Sequence, residues 1–497
     1  MPILADNSLD LHPPKRNNMT PPTPLKIILT NNLRLSNIPG EIRAKLMDTL
    51  TFANPKWLEN QKMGRWNRGT PKLLRFYDKT RGGGLWIPKG YMRQLVLLCR
   101  RRKVPIEIDD QRRVLTPVEF NFDGQLKPFQ NQAVTVMLTR DFGTLDAPTG
   151  SGKTVMALYM IARRRQPALI VVHTKDLAYQ WVERAGEFLG IPEEDVGFIG
   201  SGKKNVGEKL TVALVQSLYK CAQDVSKDVG FLVVDECHRC PSRTFTQAVS
   251  DFDSKYMLGL SATPWRRDQL SKLIFWYLGD MHQKIDQIRL VESGDVLPAE
   301  IIIRETDFKP FYDPVNEYSK MISELTSDDD RNRLIASDVA QEVENTGGVC
   351  LVLSDRKKHC ENLKAILQYG YNISCEVLTG DVTGSHRREV LDRLNQGNVK
   401  VLLATGQLIG EGFDRKDLSP LFLTTPIKFS GRVLQYIGRV LRPAPGKKKA
   451  RVYDYVDVKV EVLKAAARAR QRVYAPESHF FSNGGETAHL ETGFHSH

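Results

Sequence analysis

The sequence predicts an α/β protein in which two parallel-sheet domains follow each other in tandem and a small α+β domain precedes them. Two series of short apolar segments alternate with helix-length segments, one within residues 168–261 and the other within residues 349–424. Continuous apolar runs of this kind are typical of strands covered by helices on both faces, as in parallel sheets. The chain before residue 116 lacks this alternation and combines hairpin-like with helix-like segments, which favours an α+β arrangement.

We predict five regions along the 497 residues. Residues 1–24 are rich in Pro, Asn and Asp and are predicted to be disordered. Residues 25–115 form the basic α+β domain, residues 116–297 the first parallel-sheet domain and residues 298–474 the second. Residues 475–497 hold four histidines among Gly, Ser and Thr, a composition that favours a flexible tail over a metal site.

The elements of the front domain follow from its apolar pattern. We predict strands at Leu25–Leu29 and Val104–Ile108, helices at Pro39–Phe52 and Tyr91–Arg102, and a hairpin that pairs Leu73–Tyr77 with Gly84–Ile87. The hairpin signal is the polar, glycine-rich run that separates its two strands.

Positive charge is concentrated in the front domain. The whole chain has a net charge of +13, and the stretch from Thr51 to Leu115 has 16 Lys and Arg against 5 Asp and Glu. This favours a nucleic-acid face over a merely solvated basic surface. Aromatic residues suited to base stacking are interleaved with the cations, although a place in the core is the simpler explanation for any single ring. They are Trp57, Trp66, Tyr77, Trp86 and Tyr91.

The two later domains repeat strand and helix. The strands are predicted at Ala168–Val172, Leu210–Val215, Phe231–Val234 and Met257–Ser261, then at Val349–Leu353, Cys375–Leu378, Val399–Ala404 and Leu421–Thr424. The helices are predicted at Leu177–Phe188, Arg356–Gln368, Ser385–Leu394 and Val460–Tyr474. Ligands of such sheets bind at the carboxyl ends of the strands.

A glycine-rich turn between a strand and a helix spans Ala147–Thr154. Gly150 and Gly152 let successive backbone N–H groups point at one phosphate chain, and the helix that follows adds the positive end of its dipole. Lys153 reaches the outer phosphates in such loops, and the Thr154 hydroxyl holds Mg²⁺. We therefore predict an ATP and Mg²⁺ site, against the alternative of a plain glycine turn. Its nucleotide-binding residues are Thr149, Gly150, Ser151, Gly152, Lys153 and Thr154.

Two further features point to the same site. Asp235 and Glu236 directly follow an apolar strand, where unused charges are costly. Asp235 is the candidate Mg²⁺ ligand, and Glu236 is the candidate group that orients or deprotonates the attacking water. Gln130, ahead of the loop, is the candidate reader of an adenine edge.

The second parallel-sheet domain has no phosphate loop of its own but contains Arg439 and Arg442. Residues three apart lie on one face of a helix, and two guanidiniums facing a nucleotide in another domain act as arginine fingers. We predict both as catalytic, together with Lys153, Asp235 and Glu236. Without the first domain they would be ordinary surface arginines.

The order of these motifs resembles that of the superfamily 2 DExH-type helicases and translocases, over about residues 126–457. The segments that carry the resemblance are Gln130, Ala147–Thr154, His173–Lys175, Val215–Ser217, Asp235–His238, Ser261–Pro264, Ala404–Asp414 and Gln435–Arg442. The resemblance implies two RecA-like domains with ATP between them and nucleic acid across both. It adds Gly412 and Asp414 to the ATP site and implies backbone contacts to nucleic acid from Thr174, Gln216 and Thr405.

Within that superfamily the chain resembles the XPB and phage UvsW branch. Arg266-Arg267-Asp268 is similar to a box of the XPB branch, with Arg267 in place of its glutamate, and Arg266 and Arg267 are candidate nucleic-acid contacts. The layout of the front domain resembles that of UvsW. This implies a DNA partner, a single-stranded track with a duplex or branched junction, and leaves room for a protein partner.

Two alternatives stay open: an RNA helicase, which the DECH sequence disfavours, and a motor subunit of a nuclease or defence complex that separates no strands itself. Seven cysteines at irregular spacing favour a reducing compartment over a disulfide framework. No apolar run approaches the ~18 residues of a membrane span. We expect a cytoplasmic protein of bacterial or phage type with no membrane partner.

Overall fold

The computed structural model describes residues 23–239, 243–262, 270–345, 348–380, 382, 384–406, 417–427 and 430–474. The predicted disorder before residue 23 and the predicted flexible tail after residue 474 lie outside these ranges. The chain divides into two compact units, Met1–Arg112 and Arg113–His497. Both predicted parallel-sheet domains fall in the second unit, and the domain bounds stay predictions.

The first unit is built on a five-stranded sheet whose strands, in order across the sheet, are Asp78–Lys79 (β5), Leu85–Pro88 (β6), Asn32–Ser36 (β2), Leu25–Leu29 (β1) and Ile106–Asp110 (β7). Along β1 the side chains of Leu25, Ile27 and Leu29 are buried and alternate with more exposed ones, as in a sheet with one covered face. The strands are β1 Leu25–Leu29, β2 Asn32–Ser36, β3 Thr51–Ala53, β4 Leu73–Arg75, β5 Asp78–Lys79, β6 Leu85–Pro88 and β7 Ile106–Asp110. The helices are α1 Gly40–Thr49, α2 Pro55–Lys62 and α3 Met92–Arg101.

The predicted hairpin of Leu73–Tyr77 with Gly84–Ile87 is wrong in its first strand. Strand β4 pairs with β3, and only the two residues of β5 pair with β6. The rings of Phe52 and Phe76 stack with centroids 5.3 Å apart, and Phe76 N–H donates to the Leu50 carbonyl. The stacking of these two half-buried rings favours the longer-range pairing, in which Phe52 belongs to β3, and helix α1 ends at Thr49 instead of the predicted Phe52.

The first sheet of the second unit has eight strands in the order β11-β10-β12-β9-β13-β14-β8-β15 and is parallel except at the β10–β11 edge. Its strands are β8 Phe142–Asp146, β9 Ala168–Val172, β10 Gly197–Gly200, β11 Lys203–Lys204, β12 Leu210–Leu214, β13 Phe231–Val234, β14 Tyr256–Ser261 and β15 Met281–Lys284. Its helices are α4 Pro128–Leu138, α5 Lys153–Arg164, α6 Lys175–Leu189, α7 Val215–Leu218, α8 Ala222–Ser226, α9 Arg243–Ser250, α10 Ser271–Leu278 and α11 Gln287–Glu292.

The second sheet of this unit has six parallel strands in the order β16-β21-β20-β17-β19-β18. Its strands are β16 Ala299–Thr306, β17 Val349–Ser354, β18 Cys375–Leu378, β19 Val401–Thr405, β20 Leu418–Leu423 and β21 Ala450–Asp457. Its helices are α12 Tyr318–Leu325, α13 Asp329–Asn345, α14 Lys357–Ala365, α15 Gly384–Asn395, α16 Ser430–Val440 and α17 Glu461–Tyr474. The predicted fold class, two parallel sheets in tandem behind a small α+β unit, is confirmed.

Strand β9 shows why the apolar runs predict these sheets. All five of its residues are buried. Ile170 and Val172 pack in one hydrophobic cluster, and Leu169 and Val171 pack in another, because successive side chains point to opposite faces. Helices therefore cover both faces, and ligands have access at the ends of the strands. Among the described residues, no helix has the length and apolar character needed to cross a membrane.

His359 on α14 is a buried polar residue of the second sheet. Its Nε2 lies 2.8 Å from Asn332 Oδ1 and its Nδ1 lies 3.0 Å from Ser354 Oγ. Burial lowers the pKa of His359 to about 3, and nearby Arg331 adds to this effect. The imidazole is therefore neutral in the folded protein, whereas the unfolded chain takes up a proton near pH 6.5.

This difference predicts a loss of stability in acid. Because the folded-state pKa lies below the unfolded one, the contribution of His359 is complete above pH 6.5 and falls as the pH drops from 6.5 towards 3. The free energy of unfolding should fall by about 1.4 kcal/mol per pH unit for one such group. Urea unfolding at several pH values between 7 and 4.5 measures this slope. His359→Gln should lower the slope by about 1.4 kcal/mol per pH unit, while buried His173, whose pKa is about 4, still contributes in both proteins. An equal slope in both proteins would contradict the assignment.

Candidate active site

The carboxyl ends of three neighbouring strands place the predicted motifs beside one another. The phosphate loop follows β8, the two carboxylates follow β13, and β14 lies between these strands. The last residue of β14, Ser261, is in register with Asp146, the last residue of β8. Residues about 80 positions apart in the chain thus meet at one edge of the sheet.

The loop has the backbone that phosphate binding requires. Gly150 and Gly152 have φ values of 92° and 80°, the left-handed region that favours glycine. A Cβ on Gly152 would lie 2.4 Å from Gln130 Nε2. Helix α5 starts at Lys153 without a side-chain cap, which leaves the first N–H groups of the helix directed at the loop. A helix N-terminus without a side-chain cap, at the positive end of the helix dipole, is suited to bind a phosphate chain.

Gln130 supports the loop from behind. Its Nε2 donates to the Ser151 carbonyl at 2.8 Å, and its Oε1 accepts from the Lys127 N–H at 3.0 Å. Ser151 is itself buried, and its hydroxyl donates to the Pro148 carbonyl at 2.7 Å. Gln130 is also one of the residues that line the cavity. Its contact with an adenine edge stays a prediction, while its role in holding the loop is observed.

The two carboxylates are held differently. Asp235 accepts from the Trp181 indole N–H at 2.9 Å and from the Glu236 backbone N–H at 2.8 Å. Glu236 has a φ of 49°, an uncommon value for a residue other than glycine. Such strain concentrates at functional sites. Glu236 Oε2 lies 3.1 Å from His238 Nδ1, which lies equally far from Ser261 Oγ at the end of β14.

The environment drives the pKa values of this pair apart. Burial and the charge of Glu236 raise the pKa of Asp235 to about 6, against the opposing effects of Lys153 and of the bond from Trp181. Burial also disfavours the Glu236 carboxylate, but the contact with His238 and the charge of Lys153 outweigh it and lower the pKa of Glu236 to about 2. Glu236 is therefore ionised at neutral pH, the form in which its carboxylate can accept a hydrogen bond from the attacking water and orient it.

The second sheet reaches this site through helix α16. Gly438 lies so close to the phosphate loop that a Cβ on it would stand 2.5 Å from Thr149 Cβ. Arg439, the next residue, lies near enough to Glu236 and Asp235 for both charges to raise its pKa, although burial lowers that pKa overall. Arg442 instead has Arg184 as its charged neighbour. The two arginines therefore differ in surroundings, and Arg439 is the one beside the carboxylates.

The prediction that both arginines lie on one helix face is wrong for Arg442. Helix α16 ends at Val440, and Arg442 precedes Pro443. A residue before proline is disfavoured in the α conformation, which ends the helix. Both arginines nevertheless line the same cavity of about 620 Å³ as the loop and the carboxylates. An ion pair between Lys127 and Asp295 also borders it.

The candidate nucleic-acid contacts lie at the same edges of the two sheets. Thr174 caps helix α6, and the Gln216 carboxamide donates to the His173 carbonyl at 3.3 Å, which brings these two residues together. Thr405 is the last residue of β19 in the second sheet. Arg266, Arg267, Gly412 and Asp414 lie outside the described residues. All of these roles stay predictions.

Sequence reasoning missed two residues that position the site. Trp181 orients Asp235, but its place on an amphipathic helix predicts only a core residue. Lys447 Nζ donates to the carbonyls of Leu418, Val440 and Arg442 at 2.8, 2.5 and 3.3 Å. It thereby holds the end of the helix that carries Arg439. Burial lowers the pKa of Lys447 to about 8. In the sequence Lys447 is followed by two further lysines, a pattern that predicts a solvated loop instead.

Lys153→Ala is expected to abolish measurable ATP turnover. The Lys153 ammonium lies 3.1 Å from the Ala147 carbonyl at the base of the loop and has no substitute there among the described loop residues. Phosphate oxygens would lose their main cationic partner. Steady-state ATP hydrolysis measures the effect. Lys203→Ala, an exposed change in the edge strand β11, is the control and should keep the wild-type rate. Normal turnover in Lys153→Ala would show that this loop is not part of the active site.

Two family profiles match the second unit of the chain. Residues 123–266 match the family described as "Type III restriction enzyme, res subunit", and residues 330–444 match the "Helicase conserved C-terminal domain". The first match contains the phosphate loop and the carboxylates. The second ends just beyond Arg442.

Two related proteins align with most of the second unit of the chain. The chain is 28% identical over 378 residues to the putative ATP-dependent RNA helicase L396 of Acanthamoeba polyphaga mimivirus, covering 73% of this chain and 70% of that protein. It is 26% identical over 358 residues to the DNA 3'-5' translocase XPB2 of Sulfurisphaera tokodaii, covering 64% of this chain and 79% of that protein.

Solved structures share the fold. S. cerevisiae Dbp5 bound to RNA and ADP BeF3 aligns over 70% of this chain and 88% of that chain, with a TM-score of 0.50 and 16% identity. Bacteriophage T4 UvsW aligns over 92% of this chain and 98% of that chain, with a TM-score of 0.42 and 18% identity. The likeness of the front unit to UvsW stays a prediction.

A cleft of this kind between two parallel sheets defines a motor ATPase with two RecA-like domains. The res-subunit family matches the part of the chain that forms the first sheet, the helicase C-terminal family matches the part that forms the second, and relatives named XPB and Rad25 align across both. The chain therefore belongs to the superfamily 2 helicases, in the branch that contains XPB. The predicted superfamily is confirmed, and with it an ATP-dependent helicase enzyme that acts on nucleic acid.

Proposed function

We propose that this chain is an ATP-dependent DNA helicase or translocase that unwinds or remodels duplex or branched DNA, in repair, recombination or replication. The observation that carries the proposal is the cavity in which Lys153, Glu236 and Arg439 meet. Two of these groups come from the first sheet and one from the second. Hydrolysis in such a cleft is therefore coupled to the relative position of the two sheets.

Each group has a separate task. The N–H groups at the start of α5 and the Lys153 ammonium bind the phosphates of ATP, and Thr154 and Asp235 would hold Mg²⁺. The ion supplies charge neutralisation at the phosphates. Glu236 takes a proton from the attacking water, and His238 keeps its carboxylate in place. Arg439 donates to the transferring phosphate, and Lys447 holds the backbone that directly follows Arg439, through the carbonyls of Val440 and Arg442.

Nucleic acid is proposed to cross the carboxyl edges of both sheets. Thr174 and Gln216 from the first sheet and Thr405 from the second would contact the phosphates of one strand. Such contacts carry no base information, so translocation is independent of sequence. Opening and closing of the cleft would move one sheet along the strand relative to the other.

DNA is favoured by the relatives named for it and by the charge of the front unit. The translocase of S. tokodaii and several other relatives are named for a 3'-5' DNA activity. The surplus of Lys and Arg between Thr51 and Leu115 suits a duplex, whose charge density is high. We propose the front unit as the part that grips duplex DNA.

An RNA substrate is the second candidate, because the mimivirus relative is named an RNA helicase. ATP turnover of the full chain, measured with single-stranded DNA, duplex, forked DNA and RNA at two salt concentrations, separates the two. We expect the strongest stimulation from forked DNA. Stimulation by RNA alone would replace the DNA proposal. The absence of stimulation by any nucleic acid would contradict the proposed function.

A further inference from the structure

A closed loop in the first unit presents an aromatic ring to solvent. The loop runs from Asn54 to Lys72 and contains helix α2. Its ends are joined by two hydrogen bonds: Asn54 N–H donates to the Lys72 carbonyl at 2.9 Å, and Asn54 Nδ2 donates to the Pro71 carbonyl at 2.9 Å. The Asn54 side chain is buried, as a residue with this role should be. The two ends of the loop are therefore held together by hydrogen bonds.

Trp66 stands near the tip of this loop and is 83% exposed. The backbone on both sides of it is anchored. Arg65 N–H donates to the Asn60 carbonyl at 2.8 Å, and the Asn67 carboxamide bridges Asn60 Nδ2 at 3.0 Å and the Trp57 carbonyl at 3.2 Å. The indole is therefore held at one place on the surface, with most of its area open to a binding partner.

The loop is also strongly cationic. It contains five Lys and Arg and one Glu, and both neighbours of the Trp66-Asn67 pair are arginines. Lys72 Nζ lies 5.4 Å from the centre of the Trp57 ring, and Asn67 is bonded to the Trp57 backbone. Cations thus stand at the base of the loop and, in the sequence, on both sides of its exposed ring. This charge matches a phosphate backbone, and the ring matches a nucleobase.

We propose that Trp66 is a stacking platform for an unpaired DNA base, with Arg65 and Arg68 bound to the phosphates beside that base. The bases inside a duplex already stack on both faces and offer none to an indole. A ring of this kind therefore selects a place where stacking is interrupted, such as the junction between duplex and single strand. The inference rests on the proposed function, because it takes DNA as the nucleic acid.

The expected contribution is large enough to measure. Stacking of one base on an aromatic side chain is worth about 1–3 kcal/mol, and about 1.4 kcal/mol corresponds to a tenfold change in affinity. The anchored loop loses little conformational freedom on binding, so most of this contribution appears in the affinity. The stacking contribution does not depend on counterion release, whereas the contribution of Arg68 does.

The test is the affinity of the full chain for a forked DNA and for a blunt duplex of the same length, at two salt concentrations. Trp66→Ala should weaken fork binding about tenfold, leave the salt dependence unchanged and affect the duplex much less. Trp66→Phe should restore binding to within about threefold, because a smaller ring still stacks. Arg68→Ala should weaken both substrates and lower the salt slope by about one. Phe311→Ala, which removes a ring 89% exposed in the second unit, is the control and should change nothing.

Fork affinity of Trp66→Ala equal to that of the wild type would overturn the stacking site, as would an equal loss with Phe311→Ala. An effect on single-stranded RNA and not on DNA would overturn the choice of DNA. These outcomes differ from a failure of the proposed function, which shows in the wild-type protein as ATP turnover that no nucleic acid stimulates. Because Trp66 is exposed, its replacement removes no core contact that folding requires.

Discussion

Glu236→Gln is expected to lower the rate of ATP hydrolysis by roughly 10²–10⁴-fold while leaving ATP bound, because the amide cannot accept the proton of the attacking water. The shape of the side chain is kept, and so is the loop that binds the phosphates. The surroundings hold the pKa of Glu236 at about 2, so the wild-type carboxylate is in its basic form at any neutral pH. Single-turnover hydrolysis and the binding of a fluorescent ATP analogue measure the two effects separately.

Glu183→Gln is the matched control for this prediction. Glu183 also lines the cavity but projects from helix α6 of the first sheet and does not belong to the carboxylate pair. We expect its rate to stay within about threefold of the wild type, a change of less than 1 kcal/mol in the barrier. A wild-type rate in Glu236→Gln would contradict the role of Glu236, and loss of ATP binding in that variant would mean that Glu236 serves binding instead.

Arg439→Ala is expected to lower the hydrolysis rate by roughly 10³–10⁵-fold, the contribution of an arginine finger in related phosphoryl transfers. Arg439→Lys keeps the charge but loses the planar fork of donors, and its rate should fall between those of the alanine variant and the wild type. Arg442→Ala should cost less than Arg439→Ala. The reason is that Arg439 lies near Glu236 and Asp235, whereas Arg442 has another arginine as its charged neighbour.

The control for the arginine series is Arg472→Lys, an exposed change on helix α17 of the second sheet. Rates are measured at saturating ATP so that they report the chemical step and not binding. Equal losses in Arg439→Ala and Arg442→Ala would contradict the distinction between them. A larger loss of hydrolysis rate in Arg442→Ala would assign the role of arginine finger to Arg442 instead.

The strands and the phosphate loop could be predicted because their signals are local. Strands β9 and β13 lie where their apolar runs begin and end, since both faces of the sheet are covered and every side chain must be apolar. The loop follows from the spacing of two glycines and a lysine ahead of a helix. The meeting of the loop with the carboxylates follows from one rule, that parallel strands end at the same edge.

The features that could not be predicted from the sequence depend on contacts between residues far apart in the chain. Trp181 and Asp235 are 54 positions apart, and nothing near either of them predicts their hydrogen bond. Likewise, the pairing of β3 with β4 depends on the stacking of Phe52 on Phe76, which competes with a hairpin that is local and easier to predict. The role of Lys447 can be recognised only in the structure, because it depends on the position of the helix end whose carbonyl Lys447 contacts.

Strand separation on a forked DNA, with one strand labelled and ATP present or absent, tests the central claim most directly. We expect the wild-type chain to release the labelled strand only with ATP, and Arg439→Ala to bind the same fork but release nothing. Both results together show that closure of the second sheet onto the phosphate loop drives the work on DNA. Release without ATP, or equal release by Arg439→Ala, would contradict the account.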